Sequence, residues 1–248
     1  MRGFSLAGFA ACLLEPSAGA QLPPAPIQPI EVRSCDFVPG KGQADLDGLQ
    51  AELARWISDT AAPEYAAYAL FPLMHSAEID FDLAWVGVWP DGTTMGESLG
   101  HYSRNGAPIS SAFDSVMRCR DNTNFSALAL RRPQNDASFG PMEISTCRLR
   151  LGVGLDEAMP AIRQWVEHTA SIGSTAAHWL LFPAYGERSD ANYNFKWAVG
   201  YDSFEGFGRD YDQLTNGGAL DVYNELFEFV LHCDSPRLFA VRTMRAAQ

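Results

Sequence analysis

Asp80 and Asp82 flank a phenylalanine ahead of the apolar run Leu83-Ala84-Trp85. On an extended chain two residues spaced by one project to the same side. Two carboxylates sharing a side can shift one another's pKa and so supply an acid and a base, or they can hold a hard cation with His75 or Glu78. The competing reading is a solvated acidic hairpin in a protein that is acidic throughout. Glu97 and His101 are four apart, so on a helix the carboxylate would orient the imidazole as a general base. Gly96 and Gly100 weaken the helix there, leaving an exposed loop as the alternative. A third group is aromatic. Trp85 and Trp89 share one strand face, as do Trp197 and Tyr201, with Tyr68 and Trp179 expected on neighbouring strands. Such a face makes either a packed core or a pocket for a flat, apolar ligand. Phosphate loops, nucleophile elbows, nucleotide fingerprints and metal-finger spacings do not occur, and no metal is assigned.

The elements that must position these groups begin after an expected leader. Residues 1–20 carry Arg2, an apolar run and the small-residue pattern Ala18-Gly19-Ala20, the form of a signal peptide. A buried N-terminal helix is the alternative. Residues 21–29 hold Pro23, Pro24, Pro26 and Pro29 and read as an extended linker. Cleavage would remove Cys12 and leave Cys35, Cys119, Cys147 and Cys233, an even set in a compartment where disulfides persist. Cys35 and Cys119 are 84 positions apart, and Cys147 and Cys233 are 86. That echo favours these two pairings among the three that four cysteines permit.

Composition narrows the partners. The 248 residues carry 18 Lys+Arg against 30 Asp+Glu, a net charge of −12, which repels phosphate backbones and anionic lipid surfaces. Nucleic acid is therefore excluded as a partner. Apolar residues make up 47%, enough for a real core, yet no apolar run approaches the roughly 20 residues needed to cross a bilayer. A homo-oligomer is compatible with the sequence.

The two halves repeat one another at an offset of about 112 positions, too long for a solenoid. Trp56-Ile57 answers Trp165-Val166, Leu70-Phe71-Pro72 answers Leu181-Phe182-Pro183, Trp85 answers Trp197, Asn105-Gly106 answers Asn216-Gly217, and the cysteines follow in step. Each half reads as strand (30–38; 142–151), helix, two strands (65–73 and 83–89; 176–184 and 195–201), a second helix (109–118; 220–232) and a last strand (125–131; 238–243). The first helix shows its stripe at Leu46, Leu49, Leu53, Trp56 and Ile57, then again at Leu155, Met159, Ile162, Trp165 and Val166. The candidate reactive groups differ between the copies. Asn192-Tyr193-Asn194 stands opposite Asp80-Phe81-Asp82, Arg209 and Gln213 stand opposite Glu97 and His101, and Lys196 stands where the first copy has Ala84.

The order β-α-β-β-α-β is the ferredoxin-like unit. Two such units in one α+β chain, at 30–134 and 135–248, resemble the dimeric α+β barrel superfamily, which includes antibiotic-biosynthesis-type monooxygenases, stress-responsive barrel proteins and tandem chlorite dismutases. The resemblance rests on element order alone and implies two sheets packed as a pseudo-dimeric barrel. It also implies that haem deserves weighing, since related tandem barrels hold it on a histidine in the second half, where this chain has His168 and His178. Neither lies in a matching motif, so the cofactor stays unassigned. The resulting expectation is an exported, cofactor-independent enzyme that binds a small organic molecule in a barrel cavity, with His101 and Glu97, and with Asp80 and Asp82, moving protons. The alternative is a non-catalytic periplasmic module that binds a small ligand or a partner through the aromatic face.

Overall fold

The computed structural model describes residues 27–133 and 140–246. The expected leader and most of the proline-rich segment lie outside the described residues. The linker was expected to reach residue 29, but β1 (Gln28–Phe37) already includes Gln28 and Pro29. Proline lacks a donor, yet its carbonyl remains free to pair, and Pro29 O accepts from Trp89 N at 3.1 Å.

After β1 come α1 (Leu46–Thr60), β2 (Ala66–Met74), β3 (Leu83–Val88), α2 (Gly92–Asn105), α3 (Ala107–Asp114), β4 (Met117–Cys119) and β5 (Thr123–Arg131). The remainder runs β6 (Pro141–Leu149), α4 (Leu155–Ser171), β7 (Ala177–Tyr185), β8 (Phe195–Gly200), α5 (Phe204–Thr215), α6 (Ala219–Phe227), β9 (Leu231–Cys233) and β10 (Arg237–Arg245). The sheet order is β10-β2-β3-β1-β5-β7-β8-β6, and β10 also pairs with β6, so eight antiparallel strands close into a barrel without open edges. Closure depends on β5 and β10. Each pairs with a strand of its own half on one side and with the second strand of the other half on the opposite side.

Strand alternation then sorts side chains into two kinds of layer. Ile30, Val32, Met142, Ile144, Phe125 and Phe239 fill the barrel interior. Residues of opposite parity face the helices: Cys35, Ala67, Leu83 and Trp85 pack against Leu46, Leu49, Leu53 and Ile57 of α1, while Cys147, Leu180, Phe195 and Trp197 pack against Ala158, Ile162 and Val166 of α4. Each large apolar side chain so covered contributes roughly 1.5–3 kcal/mol. Leu46, Leu49, Leu53 and Ile57 of the expected stripe are the buried face of α1; in α4, Ile162, Trp165 and Val166 are buried with Ala158, whereas Leu155 is exposed and Met159 half-buried.

The segment around Gly96 and Gly100, doubtful as a helix from its glycines, is the regular helix α2. Asp91 caps it by accepting from Thr94 N at 2.8 Å, and Gly96 faces open space, so only propensity is lost there. Two helices therefore stand where one was expected in each half. The break between them falls at the repeated Asn-Gly pairs, because a Cβ on Gly106 would lie 2.4 Å from Tyr102 O. Cys119 and Cys233, expected at a helix end, sit instead on the short strands β4 and β9. They face Cys35 and Cys147 directly across β1 and β6, and both expected disulfides are formed.

Candidate functional site

The expected cavity lay between two sheets, but that interior is filled by side chains. Two cavities open between the sheet and its helices, one in each half. The second-half cavity measures about 310 Å³ and the first-half one about 230 Å³. Trp197 and Tyr201 line the former, and Trp85 and Trp89 the latter. Tyr68 and Trp179 have the opposite parity and pack with the interior clusters, so the six aromatics divide between two layers.

Glu143, at a helix-facing position of β6, projects into the second-half cavity. Tyr201 at the end of β8 donates its hydroxyl to Glu143 Oε2 at 3.1 Å. Burial holds the Glu143 carboxyl above the usual carboxylate range and the charge of Asp210 adds to this, the tyrosine bond offsetting part. Tyr201 itself is pushed far above the ordinary tyrosine range by burial, then by the charges of Glu143 and Asp210. It stays a donor. From α5, Asp210 accepts from Ser174, and burial also raises its carboxyl pKa. Ser174 accepts in turn from Arg131 Nη2 at 3.0 Å, an arginine that the β5–β7 pairing delivers from the first half.

His178 completes this wall. It is 3% exposed, and the Trp197 indole N–H donates to its Nδ1 at 3.3 Å. With Nδ1 accepting, the ring proton sits on Nε2, which is buried and has no partner among the described residues. Burial, helped by the nearby Arg131 charge, lowers the His178 pKa to about 3, so the ring of this cavity-lining residue is neutral and carries an unused N–H donor.

The first half solves the same positions differently. Glu31, the partner of Gly87 in the β1–β3 ladder as Glu143 is of Val199 in β6–β8, is also buried. Its carboxylate accepts from Tyr65 Oη at 2.7 Å and from Arg33 Nη2 at 2.8 Å. The Trp85 indole donates to Tyr65 Oη at 2.8 Å, the role that His178 Nδ1 fills for Trp197. Gly87 makes this possible, since a Cβ there would lie 2.3 Å from Tyr65 Oη. Val199 occupies that place in the second half, and Ser145, opposite Trp197 as Arg33 is opposite Trp85, leaves Glu143 without that arginine and with a raised pKa. Sequence comparison passed over Glu31 and Glu143 because it weighed only positions that differ. Their signal was a carboxylate repeated at one offset inside an alternating strand.

The predicted proton-transfer groups lie elsewhere. Asp80 is exposed and ion-paired with Arg120 at 3.1 Å, which holds its carboxyl below the usual range. Asp82 Oδ2 accepts from Phe37 N at 2.8 Å, and Asn194 Oδ1 does the same for Leu149 N at 2.8 Å. The aspartate and asparagine are thus one structural device. Glu78 is exposed, 3.6 Å from Arg237, and His75 bonds only to Ser76 O at 2.9 Å. His101 Nε2 meets Thr60 Oγ1 at 2.8 Å with its ring against Trp56, while Glu97 is exposed; neither lines a cavity. Lys196 shares the parity of Ala198, toward the interior, and sits 4.5 Å over the Tyr193 ring.

Haem fits neither candidate histidine. His178 Nδ1 is taken by Trp197 and Nε2 carries the proton, leaving no lone pair for iron, and His168 packs on Trp165 without lining the cavity. Among the described residues no three His, Cys, Asp or Glu side chains are grouped to hold a metal ion, and no helix is long and apolar enough to cross a membrane.

No protein-family model matches the sequence, and no curated protein does. Solved structures match by fold. A monooxygenase-like protein from Fusobacterium nucleatum subsp. nucleatum is 11% identical with a TM-score of 0.52, covering 90% of this chain and 95% of its own. A double mutant of chlorite dismutase from Candidatus Nitrospira defluvii is 8% identical with a TM-score of 0.51, covering 86% and 90%. The chain has the fold of these dimeric α+β barrel proteins.

Proposed function

We propose that this α+β barrel binds a small, flat organic molecule in its second-half cavity and moves a proton on it with Glu143. One observation carries the reading: the His178 Nε2–H is buried, unpartnered and on the cavity wall that Glu143 also lines. A buried donor without a partner costs stability, and a ligand oxygen seated there would relieve that cost. In the forward direction the Glu143 carboxylate takes a proton from a carbon beside the ligand carbonyl. The electron pair moves onto the carbonyl oxygen, and the His178 N–H stabilises the resulting enolate. A carboxyl raised by burial suits this work because its proton affinity lies closer to that of the substrate. Tyr201 and the Arg131–Ser174–Asp210 chain orient the acid and close the polar end of the cavity.

The finer architecture belongs to the same proposal. The two halves are copies of one βαββαβ module, at 30–134 and 135–248, pressed together as a pseudo-dimer. The matched strand-end devices of Asp82 and Asn194, and of Asp121 and Asp234, which accept from Ser34 N and Thr146 N, support this. Two disulfides support export to an oxidising compartment behind a leader at residues 1–20.

The test uses 2-tetralone, a neutral aromatic ketone with acidic carbon-bound hydrogens, in D2O with exchange followed by proton NMR. The chain should accelerate exchange, and Glu143→Gln should lose about 100-fold or more of that rate, while His101→Ala and Glu97→Gln keep it. Exchange unaffected by Glu143→Gln but lost in His101→Ala would return the chemistry to the first half. Binding without exchange would make the chain a ligand-binding module.

A further inference from the structure

The first-half cavity has an orphan of its own. Trp89 is 4% exposed, lines the space, and its indole Nε1 is buried with no partner among the described residues. Its ring is held by Tyr65, 5.2 Å away at a tilt, and its backbone N–H is tied to Pro29 O. The donor is therefore fixed in direction. The cavity's buried charges are already matched: Glu31 Oε2 takes Arg33 Nε at 3.1 Å and Nη2 at 2.8 Å, and Oε1 takes Tyr65. Both Glu31 oxygens are thus already engaged within the protein. Trp56, Trp85 and Phe113 add aromatic rings to the wall, with Ser98, Ser110 and Asp114 as its further polar residues.

We propose that this cavity is a second ligand site, one that binds without reacting, and that it takes a neutral aromatic molecule carrying a carbonyl acceptor. The Glu31–Arg33 pair is internally neutralised, Asp114 on the same wall is exposed and repels anions, and the unpartnered donor of Trp89 is an uncharged N–H. Apolar cavities of about 150 Å³ already admit benzene, so about 230 Å³ accommodates one ring and a short polar group. The two halves would then divide the work. The second keeps a titratable acid beside its orphan donor, and the first has that acid locked by arginine and tyrosine. This inference stands on Trp89 and does not depend on chemistry at Glu143.

Acetophenone and ethylbenzene, matched in shape but with and without the acceptor, are titrated into 15N-labelled full-length chain while the indole N–H resonances are followed. Trp89→Phe, which keeps a ring and removes the donor, assigns the resonance. Acetophenone should shift the Trp89 indole signal to saturation, and Trp89→Phe should weaken its binding at this site about tenfold, the loss expected for one hydrogen bond, with ethylbenzene affinity unchanged. Movement of the Trp197 indole without Trp89 would place the ligand in the second cavity only and overturn the proposal. Equal loss of both compounds in Trp89→Phe would also overturn it, by reducing the site to an apolar void. Should that variant fail to fold, the Trp89 indole signal is assigned in the unaltered chain by triple-resonance NMR, and its shift still decides.

Discussion

Acidification should strip stability from this fold through His178, by an amount that can be worked out. The imidazole titrates near 6.5 when unfolded but only near about 3 when folded, because the folded ring is buried and faces the Arg131 charge. Between those two values the unfolded chain binds the extra proton. The contribution is thus fully present above about pH 6.5 and is lost as pH falls toward 3. From about pH 7.5 down to about pH 4, one proton taken up by the unfolded state alone removes about 3 kcal/mol. Glu143 and Asp210 run the other way: with folded pKa values raised, they bind more protons folded than unfolded and recover stability over the acid part of that interval. His178→Gln isolates the histidine. Urea unfolding at both pH values should show the variant losing about 3 kcal/mol less than the unaltered chain. The folded chain's His178 ring resonances should also stay at their neutral positions down to about pH 4. Equal acid losses in the two chains, or a folded-state titration near 6, would refute a neutral, donor-bearing His178 and with it the proposed polarisation of the ligand.

The remaining predictions concern what holds the site in place. Cys147→Ser with Cys233→Ser opens a bridge spanning 86 positions, and the chain-entropy relation gives a loss of about 4.5 kcal/mol, to be read from denaturant unfolding. Removing Cys35 and Cys119, 84 apart, should cost the same within error by the same measurement. Asp82→Asn should leave the urea midpoint unchanged, since Asn194 already performs the same bond in the second half, whereas Asp82→Ala should lose about 1 kcal/mol.

Patterns local in sequence reached the structure intact. Period-two alternation in β1 and β6, the 3.6-residue stripes of α1 and α4, the echo of the two cysteine intervals and the ordered landmarks led to an α+β barrel with both disulfides correctly paired. The glycines of α2 misled because the propensity they cost is small beside a capped helix start.

What tertiary structure alone decided is which layer each face of a strand enters. Alternation marks two opposite faces, but here both are apolar, one closing the barrel and the other meeting helices, so parity could not say whether Trp85 or Tyr68 would border a cavity. The acid of the site was hidden for a related reason. Glu143 acquires its raised pKa from burial and from the charge of Asp210 on α5, and Glu31 loses its freedom to Tyr65, 34 positions away, where Gly87 makes room. A charged residue in a strand is written the same way whether it ends in water or in a cavity, because desolvation is a property of the surroundings and only folding supplies them.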